Sequence, residues 1–353
     1  MRIKQIFSLC LWIILSCLIL FMTPDAAEGA AIGLYVCKTS IIPSLFPFFA
    51  LTDYWISSNY TGLLSSFTEP LTVRLFHLPG AASSALILGS IGGYPVGIKT
   101  IVKLYSNNNL TREQAEQASL FCNNAGPAFV LGILGARIFQ SVKLGIWLYI
   151  IHLAGSYLIG FIFRPQKLPC IHPPNESIDP DKSHLQLWTD AITSAGKTTL
   201  LVSTYVIFFS ILTKFLLTML PTTPIMSILI STAELAGGSN LIATTAMSLQ
   251  MKFIVCASLL GFGGICVMMQ SISLIQAAGL SARKLILGKI YHGFCSGVLA
   301  AALTPFLNFA HPCALVAGPV RPHLLETVLL LILIFGMFKF LKESSGKVSK
   351  NRL

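Results

Sequence analysis

The sequence predicts an all-α polytopic membrane protein of two related halves, an inverted repeat with re-entrant or broken helices. Composition is the first reason. Of 353 residues, 54% are hydrophobic and 10% charged, whereas a soluble domain carries roughly 25% charged residues to solvate its surface. A soluble globular enzyme, a disordered chain and a secreted disulfide scaffold are thereby excluded. The other two reasons are the spacing of the apolar runs and a set of motifs that recurs in the same order.

Ile6–Met22 follows Arg2 and Lys4 and is long enough to cross about 30 Å of hydrocarbon. The stretch Asp25-Ala26-Ala27-Glu28 makes a poor small-residue cleavage site. Residues 1–29 are therefore expected to hold an uncleaved first transmembrane helix with its N-terminus inside. Further apolar runs fall at 30–56, 81–103, 120–135, 141–163, 196–220, 225–245, 251–278, 285–309 and 324–341. The proline-rich stretch that follows Arg164 reads as an aqueous linker, here set at 164–193. It separates a first half, 30–163, from a second, 194–310. Residues 311–353 are expected to form a last transmembrane helix and a basic tail. Both ends then lie inside, so the number of full crossings is even, and the interrupted runs are expected to be re-entrant.

The formal charge of +11 does not indicate nucleic acid. Lys99, Lys103, Arg283, Lys284 and Lys289 sit at the ends of apolar runs, not in a stripe interleaved with aromatics. Such placement follows the positive-inside bias and attraction to anionic lipid. Nine cysteines without metal-ligand spacing indicate neither a zinc site nor a disulfide framework. Gly196-Lys197-Thr198 imitates the end of a phosphate-binding loop, but position 191 is Ala, and the motif needs Gly there. His152 and His292 are isolated in apolar runs and read as core residues. No cofactor, metal or catalytic residue is expected, and no enzyme activity.

The repeat is carried by several matches. Lys38–Ser44 aligns with Lys197–Ser203, each followed by an aromatic pair, Phe48-Phe49 and Phe208-Phe209. Farther on, Gly92-Gly93 aligns with Gly263-Gly264 after one insertion. The turns Asn109–Arg112 and Gly279–Arg283 follow. Repeated halves are common in secondary transporters, whose solutes bind near the midplane where broken helices present backbone groups.

Four segments are the candidates for that role. In Ile42–Phe49, Pro43 and Pro47 remove helical donors; the segment is either a kinked buried helix or a re-entrant tip, with Phe48 as an aromatic surface. Gly89–Lys99 holds four glycines and a proline, which argues for unwound backbone at Gly93 and Tyr94 or for close helix packing. Lys99 there either snorkels or serves an anionic solute. In Phe121–Phe129, Asn123 and Asn124 precede Gly126-Pro127. Their amides supply donors and acceptors, and a helix restarting there points N–H groups at an anion. Glu234, within apolar sequence, is either interfacial or a coupling group for a proton or cation.

Pro43–Phe49, Gly93–Lys99 and Asn123–Pro127, occurring in this order, resemble the sporulation integral membrane proteins of the YlbJ type, within the wider nucleoside-recognition Gate domain proteins. The resemblance spans about residues 10 to 340. It implies a multi-pass protein of the outer forespore membrane that moves dipicolinic acid during sporulation. Dipicolinate is a planar dianion, so Asn123, Asn124, Lys99 and the helix starts beside Gly93 and Gly126 are the candidate donors. Phe48, Tyr94 and Phe121 are the candidate ring partners. The expected function is thus a permease for a small organic anion. The alternatives are a nucleoside or other solute carrier coupled to an ion through Glu234, and a structural or assembly factor of the spore envelope. The expected partners are the solute and the lipid bilayer, with homo-oligomerisation left open.

Overall fold

The computed structural model describes residues 3–58, 60–166 and 183–309. The expected C-terminal helix and tail, 311–353, lie outside the described residues, as does most of the expected linker. Among the described residues every regular element is helical. Five helical stretches are long and apolar enough to cross a membrane by length and composition: Thr23–Ser57, Val142–Ile162, His184–Met219, Leu249–Ala277 and Arg283–Phe306.

Helix α1 (Ile3–Phe21) leads into α2 (Thr23–Val36), which passes through one π-helical turn, Cys37–Ile41, into α3 (Ile42–Ser57). The result is a continuous apolar helix of 35 residues. Ile42–Phe49 is therefore no re-entrant tip but part of a continuous helix, with Ile42, Pro43 and Pro47 exposed and not buried in the bundle. Pro43 comes just after the π-helical turn, inside the continuous helix, where its missing N–H and its ring break the regular ladder. Inserting a residue as a π-bulge is one way a helix absorbs a break in its ladder. Ser44 also donates its hydroxyl to the Ser40 carbonyl at 2.5 Å.

The chain continues through α4 (Tyr60–Phe76), α5 (Ala82–Gly92), α6 (Val96–Ser106) and α7 (Arg112–Ser119). Non-helical backbone at 120–126 follows, then a π-helix, Ala128–Ile138, and α8 (Val142–Ile162). Helix α9 (His184–Met219) begins inside the stretch read as linker. Its start is set by a capping box, Ser183 and Gln186 each bonding the other's backbone N–H, a geometry that satisfies two orphan donors. After it come α10 (Pro224–Ser231), α11 (Leu235–Thr244), α12 (Leu249–Phe262), α13 (Gly264–Ala277) and α14 (Arg283–Leu303).

The α2–α3 span and α9 pack antiparallel along their length. Thr218 at the end of α9 donates to Asp25 at the start of α2, at 2.8 Å. The Cys37 thiol meets the Ser203 carbonyl at 3.7 Å. Tyr54 stacks on Trp188 with ring centroids 4.0 Å apart. The matched segments Lys38–Ser44 and Lys197–Ser203 thus lie at the middle of this pair and run in opposite directions, the orientation an inverted repeat requires.

The two aligned glycine pairs both end a helix in the interior. Gly93 has φ +84°, and Gly263 and Gly264 have φ +83° and +80°, a region open to Gly at little cost. Helices α5 and α6 have 11 residues each, so each reaches about 16 Å, half of a typical hydrocarbon core. Helices α10 and α11 have 8 and 10 residues and form a hairpin that stops short of a crossing. Its turn is joined to the second break: Ile265 N–H donates to Thr232 O at 2.8 Å and Cys266 N–H to Ala233 O at 2.9 Å.

Backbone passes backbone at the first break without room for a methyl group. A Cβ on Gly97 would stand 1.8 Å from the Cys122 carbonyl oxygen, and one on Gly288 1.9 Å from that of Leu120. Gly97→Ala and Gly288→Ala should each cost about 1–3 kcal/mol or more through overpacking. Gly196→Ala is the control, because nothing lies within 4 Å of that position and Ala stabilises a helix interior by about 0.5–1 kcal/mol. Thermal unfolding in detergent should rank both clashing variants below wild type and G196A at or above it.

Candidate solute site at the unwound segment

Unwound backbone inside an apolar bundle needs partners for each polar group, since lipid offers none. The segment 120–126 gets them from side chains on other helices. The Phe121 carbonyl accepts from the Ser156 hydroxyl at 2.5 Å and from the Asn124 side-chain amide at 3.2 Å. The Asn123 carbonyl accepts from the Lys289 ammonium at 3.0 Å. Ala125 N–H donates to His152 Nε2 at 2.8 Å. Ser156 and His152 come from α8, and Lys289 from α14.

That last bond fixes a tautomer. A ring nitrogen that accepts carries no proton, so His152 holds its proton on Nδ1. His292 on α14 donates through Nε2 to the His152 carbonyl at 2.8 Å, and the two rings lie 4.5 Å apart. Both histidines are core residues, as their isolation in apolar runs suggests, yet His152 also holds the unwound segment.

Lys289 is the residue that sequence reasoning missed. Read as an interfacial basic residue, it is 1% exposed. Its ammonium lies 4.6 Å from the centroid of the Tyr94 ring and 3.5 Å from the Tyr94 hydroxyl. The Tyr94 hydroxyl itself donates to the Leu260 carbonyl in the last turn of α12. Among the described residues no carboxylate pairs with Lys289; its charge rests on neutral oxygens, an aromatic face and the negative end of α12. Only its depth within the run 285–309 hinted at this.

The structure brings five of the expected site residues together. Asn123 and Asn124 are 1% and 0% exposed. A Cβ on Gly93 would meet Gly126 N at 2.8 Å, so these two glycines touch, with Tyr94 beside them. Asn123 Nδ2 reaches Ser271 Oγ on α13 at 2.9 Å. Buried Asn123 Oδ1, Asn124 Oδ1 and His152 Nδ1 at this segment, and Ser296 Oγ farther along α14, have no hydrogen-bond partner among the described residues. Native interiors leave few such groups, and each calls for an explanation.

The other three expected residues lie elsewhere. Lys99 is paired with Asp53, at 2.6 Å. Phe48 is half-buried, while its neighbour Phe49 is the ring beneath Lys99, with the ammonium 5.0 Å from its centroid. Glu234 stands at the turn of the α10–α11 hairpin, where its carboxylate accepts from Ala236 N at 2.8 Å and Gly237 N at 2.6 Å. It is the N-cap of α11, and the positive end of that helix compensates its charge.

Residues 39–142 match a family model, Gate, described as "Nucleoside recognition". The chain is also 26% identical, over 79% of its own length and 78% of the relative's, to the sporulation integral membrane protein YlbJ of Bacillus subtilis (strain 168). Both matches support the YlbJ-type family. Together with the five apolar stretches long enough to cross a membrane, the YlbJ match supports membrane localisation. No solved structure matches it significantly. The Gate match covers Asp53, Lys99 and Asn123–Gly126 but not His152, Glu234 or Lys289, so the cluster combines residues inside and outside it.

Removing the Glu234 carboxylate should leave the Ala236 and Gly237 N–H groups without an acceptor. Glu234→Ala is expected to lose about 0.5–2 kcal/mol, and Glu234→Gln, which keeps one acceptor oxygen, less. Melting temperatures of the two purified variants check this order.

Proposed function

We propose that this protein is a permease for a small carboxylate anion, and that the anion binds between the unwound segment Asn123–Gly126 and Lys289. The observation that carries the reading is the buried ammonium of Lys289 with no carboxylate partner among the described residues, in a bundle that also holds buried donors without acceptors among those residues. His152 Nδ1 must be an N–H, and Ser296 Oγ is a hydroxyl; both are unpartnered. Rotating the Asn123 amide keeps its bond to Ser271, whose hydroxyl then donates, and frees an amide N–H as a further donor. A carboxylate accepts from all of these and carries the charge that Lys289 needs.

The arrangement is closed. Asn123 and Asn124 are buried, so the solute reaches this segment only when helices move apart. The short hairpin α10–α11 and the broken pair α5–α6 are the parts that can shift without pulling a full crossing with them. Alternating access of this kind is the usual use of broken helices in carriers.

The YlbJ-type resemblance supplies the finer reading: the anion is dipicolinate, pyridine-2,6-dicarboxylate, and the setting is sporulation at the outer forespore membrane. A nucleoside is the competing solute, favoured by the description of the Gate match and by the acceptor oxygens of Asn123 and Asn124. A spore-envelope assembly factor would move neither. Flux into vesicles containing the full chain, with labelled pyridine-2,6-dicarboxylate against labelled uridine, separates these readings. Wild type should carry the dicarboxylate. Lys289→Met should slow it about tenfold or more, the scale of one charge-assisted hydrogen bond. Uridine flux that is insensitive to K289M would support the nucleoside reading, and no flux of either solute the assembly reading.

A further inference from the structure

A second charged locus lies apart from the Lys289 cluster, where α3 meets α6. Asp53 is 1% exposed. One carboxylate oxygen lies 2.6 Å from Lys99 Nζ and the other 3.7 Å from Lys103 Nζ. Among the described residues neither oxygen accepts a hydrogen bond from a hydroxyl or amide, and two ammonium groups are what faces the carboxylate. Lys103 is fixed separately, donating to Ser57 Oγ at 2.7 Å and to the Asp53 backbone carbonyl at 2.9 Å. Phe49 lies beneath Lys99. Two cations thus face one anion.

Position gives the group its meaning. Helix α6 starts at the buried break beside Gly93 and Tyr94 and ends at the exposed turn after Ser106. Lys103 sits in its outer turn with 27% of its side chain exposed, and Lys99 one turn deeper with 9%. Stepping inward along one helix, the chain presents Lys103, then Lys99, then Tyr94 with Lys289 against it. An ion pair desolvated this far gains little net stability over apolar packing, so a structural role is a weak account of it.

We propose that Lys99 and Lys103 form an outer binding station for a carboxylate anion and that Asp53 is its resident occupant. The entering solute exchanges with Asp53 for the two ammonium groups before it reaches Lys289. The proposal rests on the anion reading above and adds where the solute is first held. Asp53 acts as an internal competitor, so it lowers the apparent affinity by the fraction of time it holds the lysines, as any competing conformer does.

Equilibrium binding of pyridine-2,6-dicarboxylate to the purified full chain tests this, with the uncharged pyridine-2,6-dicarboxamide as the control. Asp53→Asn should tighten dicarboxylate binding about fivefold or more and leave the diamide unaffected. Asp53→Glu, which keeps the charge, should stay near wild type. Unchanged or weaker binding to a monodisperse D53N protein would overturn the proposal. If D53N does not fold, the charge-balanced double variant D53A/K99A takes its place. The proposal expects it to bind no tighter than wild type, and tighter binding would overturn it. Dicarboxylate binding to wild type that K289M leaves intact would end the Lys289 reading but not this one; binding to none of the variants would end both.

Discussion

Seven residues of non-helical backbone run through the interior of this bundle, and water is not at hand to solvate them. Every carbonyl and N–H in 120–126 must therefore find protein, and much of the surrounding structure can be understood as the answer to that demand. Ser156 and His152 fix the register of α8 against the segment. Lys289 does the same for α14. The glycines at 97 and 288 let helix backbones approach the Leu120 and Cys122 carbonyls to distances at which a methyl group would collide. A bond made here is worth more than in water because the alternative is an unsatisfied group.

The charged groups of the interior are compensated in three different ways. Asp53 and Lys99 neutralise one another at contact distance. Glu234 draws on two N–H groups at a helix start. Among the described residues Lys289 has only neutral oxygens and a ring face, a weaker arrangement by the scale on which an isolated buried cation is penalised. A charge left with the poorest compensation gains the most from a new counter-ion, and that is the argument for a solute at Lys289 instead of at Glu234. Glu234 already has what a carboxylate needs, so a proton or cation arriving there must compete with two short hydrogen bonds.

Much of the architecture was legible because its causes are local. Apolar runs, prolines and glycine pairs mark spans and breaks within a window of a dozen residues, and the breaks at Gly93 and Gly263 stand where the aligned pairs predicted them. The adjacent amides Asn123-Asn124 before Gly-Pro also pointed to the unwound segment. Two kinds of feature were not local. Whether Pro43 and Pro47 end a helix or kink it depends on the π-turn and the packing of α9, and the sequence pattern is the same in both cases. The depth of a lysine depends on where its helix sits: Lys289 and Lys284 look alike in sequence, yet the first is buried and the second bonds Gln117 at the start of α14. The pairing of Lys99 with Asp53 joins positions 46 apart, visible only once α3 and α6 are side by side.

The two halves do not contribute to the cluster in the same way. After its matched turn the first half unwinds at 120–126 and offers backbone, whereas the second half continues as one helix, α14, and offers Lys289, His292 and Ser296. Two identical halves placed in opposite orientations would present the same groups to both sides of the membrane. Here one side of the cluster is made of peptide groups, amides and the His152 imidazole, the other of a cation, the His292 imidazole and a hydroxyl. A planar solute carrying two carboxylates can satisfy only one of them at Lys289; the other must be met by neutral donors such as His152 Nδ1 and the Asn123 amide. The divergence of the halves therefore gives the cluster an electrostatic direction, and a dianion held there has one strongly bound end and one that is free to exchange.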